Sequence, residues 1–320
     1  MKRLCMFAAC LVALALMSVS CGSGPQKARK FYWVQGLKGH PVHQLTQIAF
    51  AEGCRKLGYA CEIVGSDSMD LIGTISLAEQ ALAKGDAAGM AVWTGSPAYD
   101  PFIERVAKKG IPVILPHIPP PEKPPQGVTG YVGCDTREYA RQAALGIGKA
   151  VEGKGTVAIT QGSFNTIENT VAEVFSKTIQ ENYPGMSVLQ AQEEGFDPPG
   201  AIAKCTSILT AHPELTAAFS TTGGGPTAWA GAQRQGQRKI VAVGMDYTRV
   251  NLDLVKAGEV YAVVGQPLWE EAYGAAELLD RSVRGEKIEF WTKLPAPLIT
   301  KDKLAPYYAL LEKVEESLRK

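Results

Sequence analysis

Three of the four histidines, His40, His43 and His117, fall in loops that follow short β-type runs. A neutral imidazole donates through one ring nitrogen and accepts through the other, which suits a hydroxyl-bearing ligand. His40 and His43, three residues apart at a helix start, equally suit a transition metal or metal chelate. The plain alternative is that all three are cap or loop residues. His212 precedes Pro213 in a helix-ending turn and reads as structural. Trp93 ends another β-type run and offers a flat face, either to a pocket or to the core. Residues 222–226, Thr-Gly-Gly-Gly-Pro, join a strand to a helix start, where backbone N–H groups can approach an oxygen or an anion. No Lys-Ser/Thr follows as in a phosphate loop, and no Gly-x-Gly-x-x-Gly or downstream acid marks a dinucleotide site. The sequence thus implies no cofactor. It also lacks a Gly-x-Ser-x-Gly elbow and a His-Glu-x-x-His pattern, so no enzyme is expected.

The elements that carry these residues alternate short β-branched or aromatic runs with amphipathic segments, the pattern of βα units in a parallel sheet. Strands are predicted at 31–35, 61–64, 89–93, 112–115, 128–133, 156–160, 187–191, 217–221, 240–244 and 260–264. Leu45, Ile48, Ala49 and Leu57 share one helical face, as do Ile202, Cys205, Ile208 and Leu209, so both segments can cover a sheet. The arrangement repeats weakly: third strands stand 217 − 89 = 128 residues apart and fourth strands 240 − 112 = 128. Two similar half-proteins, each an open parallel sheet, bring two sets of strand carboxyl ends face to face. Ligands of open α/β sheets sit outside those ends, so the cleft between the halves is the expected site. The proline-rich stretch 116–125 reads as a stiff surface loop.

With 320 residues, 46% hydrophobic, 20% charged and a net charge of +1, the chain has room for two domains and no basic footprint for nucleic acid. Lys2 and Arg3 precede an apolar run over residues 4–17 that is too short to span a membrane, which reads as an export signal. Ser18-Val19-Ser20-Cys21 followed by Gly22 resembles a bacterial lipobox with Cys21 as the lipidated residue; ordinary signal cleavage is the alternative. Residues 1–21 then form the signal peptide and 22–30 a tether. Of seven cysteines, Cys5 and Cys10 leave with the signal, and Cys54, Cys61, Cys134 and Cys205 remain beside Cys21. Cys54 and Cys61 flank a helix end and a strand, where either a disulfide or two buried thiols fits an exported compartment.

The framework residues Lys56-Leu57-Gly58-Tyr59, Gly110-Ile111-Pro112-Val113-Ile114, Leu209-Thr210-Ala211-His212-Pro213, Val243-Gly244-Met245-Asp246 and Gly265-Gln266 come in an order that resembles the type 1 periplasmic binding proteins of ABC sugar importers, of the ribose and galactose type. The resemblance implies an α/β fold of two Rossmann-like lobes with parallel sheets and a three-segment hinge. The crossings would fall near Cys134-Asp135, Gln266-Pro267 and Pro295-Pro297, giving one lobe of 31–134 plus 267–296 and another of 135–266 plus 297–320. It also implies a protein held outside the cytoplasm, in the periplasm or at the cell exterior as a membrane-anchored lipoprotein, that delivers a sugar or polyol to a permease. A sensory protein presenting its ligand to a receptor or sensor kinase, and a nucleoside-binding lipoprotein, are the alternatives.

Carried over residue by residue, the family's first-loop Asn and aromatics correspond to His40, Val42 and His43, and its Asp-Arg clamp to His117 and Ile118. Those are departures, and they leave the ligand's identity open. In the second half the family's Arg corresponds to Asn169, its Phe to Phe196, its Asn to Thr222, its Asp to Asp246 and its hinge Gln to Gln266. A buried sugar hydroxyl without a partner costs about 1–3 kcal/mol. Asp246 can accept two hydroxyl protons, and Asn169 and Gln266 each both donate and accept. Phe196 and then Trp93 are the candidates for the ring's apolar face. Asp246 has a plainer reading as a helix cap.

Overall fold

The computed structural model describes residues 29–318 except His40, Met69 and Gly95. The expectations for the signal, for Cys21 and for His40 therefore lie outside the described residues. The chain runs β1 (Lys30–Val34), α1 (Pro41–Leu57), β2 (Ala60–Val64), α2 (Leu71–Ala83), β3 (Ala87–Val92), α3 (Asp100–Lys108), β4 (Val113–Pro116) and β5 (Gly130–Cys134). It continues through α4 (Thr136–Ala150), β6 (Gly155–Gln161), α5 (Thr166–Asn182), β7 (Met186–Val188), β8 (Gln192–Glu193), α6 (Pro198–Ala211), β9 (Leu215–Ser220) and α7 (Gly225–Gly236). Then follow β10 (Val241–Met245), α8 (Arg249–Ala257), β11 (Ala262–Val264), α9 (Leu268–Val283), β12 (Trp291–Leu294), β13 (Leu298–Thr300) and α10 (Ala305–Leu318).

The strands form two sheets, ordered β2-β1-β3-β4-β5-β12 and β7-β6-β9-β10-β11-β13. Each is parallel except that β13 runs antiparallel to β11. Parallel strands are buried on both faces, which is why β1 reads Lys-Phe-Tyr-Trp-Val without alternation. Its Phe31 and Trp33 pack under Ala49 and Phe50 of α1 and Ala272 and Leu279 of α9. Tyr32 and Val34 pack on the opposite face with Ala78 of α2 and Phe102 of α3. The second sheet is covered likewise, by α4 and α5 on one face and by α6, α7 and α8 on the other. Each large side chain buried in this way contributes about 1.5–3 kcal/mol.

Helix starts on the strand carboxyl ends are fixed by side-chain caps: Asp135 accepts from the Arg137 N–H, Asn165 from Ile167, Asp197 from Gly200 and Thr248 from Asn251. Thr248 thus takes the capping role for α8 that the plainer reading of the sequence gives to Asp246.

The chain changes sheet at three places. It leaves the first sheet after β5. It returns after β11 through Gln266 and Pro267 into α9, which packs on the first sheet. It leaves again between β12, paired with β5, and β13, paired with β11. The Gly265 N–H bonds the Pro297 carbonyl at 2.8 Å, so two of the crossing segments lie side by side.

Two details differ from the sequence reading. Of the stretch drawn as one strand at 187–191 only residues 187–188 lie in a strand, β7; the chain then leaves β6 and pairs with it again beyond that stretch, in β8. The short edge strands β12 and β13 are not apparent in the sequence. Cys54, Cys61, Cys134 and Cys205 are free thiols, and Cys54 lies against Cys61. Among the described residues no helix is long and apolar enough to cross a membrane.

Candidate functional site

The carboxyl ends of the two sheets carry two polar rims. On the first, Gln35 follows β1 and is wholly buried, and its side-chain oxygen accepts from Trp33 Nε1 at 3.0 Å and Gln47 Nε2 at 3.1 Å. Its amide donates to Thr46 Oγ1 at 3.1 Å, so the start of α1 is tied to the strand end. This holds His43, buried in the first turn of α1, with its ring 4.9 Å from Trp93, edge to face. The half-buried Trp93 lies between the two imidazoles, its ring 5.5 Å from that of His117.

His117 occupies the first position after β4 with φ of 77°, a left-handed conformation that its residue type enters more readily than most. Gly133 on the neighbouring strand permits the turn, since a Cβ there would stand 3.1 Å from the His117 backbone. His117 Nδ1 meets Glu271 Oε1 at 2.7 Å. Glu271, in the first turn of α9, is completely buried.

On the second rim Asp246 is the first residue after β10, with φ of 71° and only 3% exposure. Its turn is clamped by Asn251, whose amide donates to the carbonyls of Gly223, Met245 and Asp246 at 2.9, 3.0 and 3.1 Å. Burial pushes the Asp246 carboxyl up to about 7, Glu271 adds to the rise, and His117 opposes it. Burial also raises Glu271, against the pull of His117. For His117 burial acts downward, but Glu271 and then Asp246 outweigh it and the net shift is upward. Asp246 Oδ1 and Glu271 Oε2 are both buried without a hydrogen-bond partner. Buried carboxylate oxygens are ordinarily satisfied, so this pair is where an incoming donor would be accepted.

The rest of the second rim is a lattice of hydroxyls and carboxylates. Glu168 accepts from the Gly162 N–H at 2.6 Å, Thr221 Oγ1 at 2.5 Å and Asn165 Nδ2 at 2.7 Å. Asn169, one residue on, accepts from Gln161 Nε2 at 2.9 Å. Thr222 donates to Glu194 at 2.6 Å and accepts from the Gly225 N–H at 3.0 Å, so that backbone donor of the glycine turn is already taken. Phe196 is 43% exposed and lies over Gly162, where a Cβ would stand 2.4 Å from its ring. Gln266 is buried at the hinge against the Cys134 thiol.

His43, Trp93 and His117 thus form one group, which Asp246 and Glu271 join electrostatically at the hinge. Asn169, Phe196 and Thr222 form a second group along the same rim as Asp246, linked to it by the Met245 N–H bond to the Thr222 carbonyl at 3.3 Å. His212 stands apart, paired with Glu214 at 2.9 Å. Glu271, Glu168, Glu194 and Gln35 were not among the expected residues. Glu271 alone leaves a sequence trace, since it shares a helical face with Leu268, Ala272, Ala275 and Leu279. Among the described residues no group of three or more His, Cys, Asp or Glu side chains could hold a metal ion.

Two surface hollows lie elsewhere. One of about 550 Å³ is lined by residues including Phe164, Glu193, Lys204 and His212, and one of about 420 Å³ by residues including Leu57, Glu277 and Arg281. Neither is lined by a buried unpartnered polar atom.

Two parallel α/β sheets, joined by three crossings and facing each other with polar strand ends, define a two-lobed binding-protein fold. The family model described as periplasmic binding protein domain matches residues 31–287, and the chain belongs to that family of binding proteins. Solved structures with the same fold include a glucose-galactose binding protein from Geobacillus stearothermophilus, 22% identical with a TM-score of 0.79 over 87% of this chain and 99% of that one. A carbohydrate transporter solute binding protein from Agrobacterium radiobacter, in complex with D-arabinose, is 20% identical with a TM-score of 0.80 over 89% and 99%. An ABC transporter periplasmic solute binding protein from Actinobacillus succinogenes, with bound D-allose, is 19% identical with a TM-score of 0.80 over 87% and 100%.

Proposed function

We propose that this protein is an extracytoplasmic solute-binding protein, anchored through Cys21, that grips a small polyhydroxylated ligand between its rims and delivers it to an ABC importer. One lobe would comprise residues 31–134 and 267–296, the other 135–266 and 297–320. The observation that carries the reading is the pair of buried, unpartnered carboxylate oxygens, Asp246 Oδ1 and Glu271 Oε2, at the meeting of the two lobes. A hydroxyl donating to either removes a desolvation cost of about 1–3 kcal/mol, which gives the ligand-bound state its advantage. Phe196 and Trp93 offer flat faces for the apolar side of a sugar ring, and His43, His117, Asn169, Thr222 and Gln266 surround its hydroxyls. D-arabinose and D-allose in the related structures support a monosaccharide as the ligand class.

Ligand contact with both lobes stabilises a closed arrangement by population shift, since only that arrangement makes both sets of contacts. A thermal-shift screen over sugars, polyols and nucleosides tests the reading, because a true ligand raises the melting temperature by mass action. A sugar or polyol should raise it, and Asp246→Ala or Gln266→Ala should weaken that ligand by about 2 kcal/mol or more. Stabilisation by nucleosides alone, or unchanged affinity in both variants, would remove the assignment.

A further inference from the structure

The charge inventory of the site is lopsided. At the hinge two buried carboxylates, Asp246 and Glu271, face a single imidazole, His117. His117 uses one nitrogen to satisfy one oxygen of Glu271 and leaves the second oxygen and Asp246 Oδ1 bare. The charged groups acting on Asp246 are His117 and Glu271, and those acting on Glu271 are His117 and Glu270. Among the described residues no lysine or arginine is within ion-pair reach of Asp246 or Glu271, whose one salt bridge is to His117. Glu168 on the second rim is likewise surrounded by hydroxyl, amide and backbone donors and no cationic side chain.

A neutral hydroxyl supplies one proton to such a cluster and leaves the surplus negative charge buried. A protonated amine supplies three donors and one positive charge, so a single group can donate to more than one acceptor and cancel the surplus. Resting on the reading above, we infer that the preferred ligand is an amino sugar or amino-polyol whose ammonium group bridges Asp246 and Glu271 at the hinge, its hydroxyls meeting the remaining rim. The raised carboxyl of Asp246 is consistent with an acid that awaits a cation: occupation by an ammonium group favours the ionised form and expels the proton.

Titration calorimetry at pH 7.5 tests this with D-glucosamine, D-galactosamine and D-mannosamine, each beside its neutral parent hexose and its N-acetyl derivative. At least one amine should bind about 10- to 100-fold tighter than both its neutral counterparts, the advantage of a charge-assisted over a neutral hydrogen bond. Asp246→Asn should remove that advantage, so that in the variant the amine and its parent hexose bind within about 3-fold of each other, whatever affinity both have lost. Because Glu271→Gln also disturbs His117, Asp246→Asn is the primary variant, and its melting curve verifies folding. A neutral hexose or an N-acetyl form that binds as tightly as its amine in every set overturns the inference and leaves the sugar-binding reading standing. A panel in which no member binds overturns the inference, and the sugar-binding reading falls with it only if the wider thermal-shift screen also finds no sugar or polyol.

Discussion

The two rims are built on one plan and filled with different chemistry. Gln35 after β1 and Gln161 at the end of β6 both donate to the following helix, to Thr46 and Asn169 respectively. His117 after β4 and Asp246 after β10 both adopt a left-handed backbone, with φ of 77° and 71°. Around these shared posts the first rim presents imidazole and indole, and the second presents carboxylates, hydroxyls and an amide. A repeated α/β frame therefore fixes where side chains project, and the residue types at those posts determine what the cleft accepts. The imidazole post also needs a buried acid of its own lobe, Glu271, whereas the carboxylate post is held from its own backbone by Asn251.

The contrast can be broken most severely at its buried ion pair. Glu271→Ala leaves His117 without its partner and should destabilise the protein by about 3–5 kcal/mol, read from the denaturant midpoint. A loss below about 1 kcal/mol would mean that His117 does not depend on Glu271.

The second effect is a pH dependence with a defined sign. Asp246 and Glu271 titrate higher when folded than unfolded, so the native state binds more protons above pH 4 and stability falls as pH rises toward 7. His117, also raised, adds stability below its unfolded value near 6.5 and loses it as pH climbs through its folded value. All three act in one direction. The ligand-free protein should lose roughly 2–4 kcal/mol between pH 5 and pH 8, and Asp246→Asn should flatten the curve. A melting temperature that rises over this window would contradict the charge assignment.

Asn251→Ala sharpens the other half of the comparison. Three carbonyls lose their shared donor, which should cost about 1–3 kcal/mol and weaken ligand binding through the loosened Asp246 turn. The smallest effect on stability is expected from Gly162→Ala. The new Cβ displaces the half-exposed Phe196 ring and presses on Thr222 Cγ2, so the melting temperature should fall by about the 2–4 °C typical of about 1 kcal/mol, while ligand affinity falls. Unchanged affinity would take Phe196 out of the binding surface.

The two-sheet frame was legible because buried parallel strands leave continuous apolar runs and because its two halves repeat at a 128-residue step, as between Ala87 and Leu215. Strands β12 and β13 were not, since each is short, at a sheet edge and next to Pro295 or Pro297, so neither carries a period of its own. Asp246 and His117 were found as candidates because each corresponds to a ligand position of the family the sequence resembles, in a loop that follows a predicted strand. Glu271 was missed because an acid in the first turn of a helix, beside Glu270, ordinarily faces solvent and favours the helix dipole. Its burial follows from α9 packing on the first sheet, a tertiary fact that one chain's local pattern records only as a polar residue on an apolar stripe. Gln35 and Glu194 left no local signal, because the partners that tie them to neighbouring elements, Thr46 and Gln47 for one and Ser220 and Thr222 for the other, lie 11 to 28 residues away.

A crystal structure of the complex with the strongest ligand from the thermal-shift screen is the most direct test of a guest held by both rims. The ligand should lie within hydrogen-bond distance of Asp246 and, across the cleft, of His117 or Glu271, with Phe196 or Trp93 against its apolar face. A ligand bound by one lobe alone, or seated in the hollow beside Phe164 and Lys204, would contradict the account.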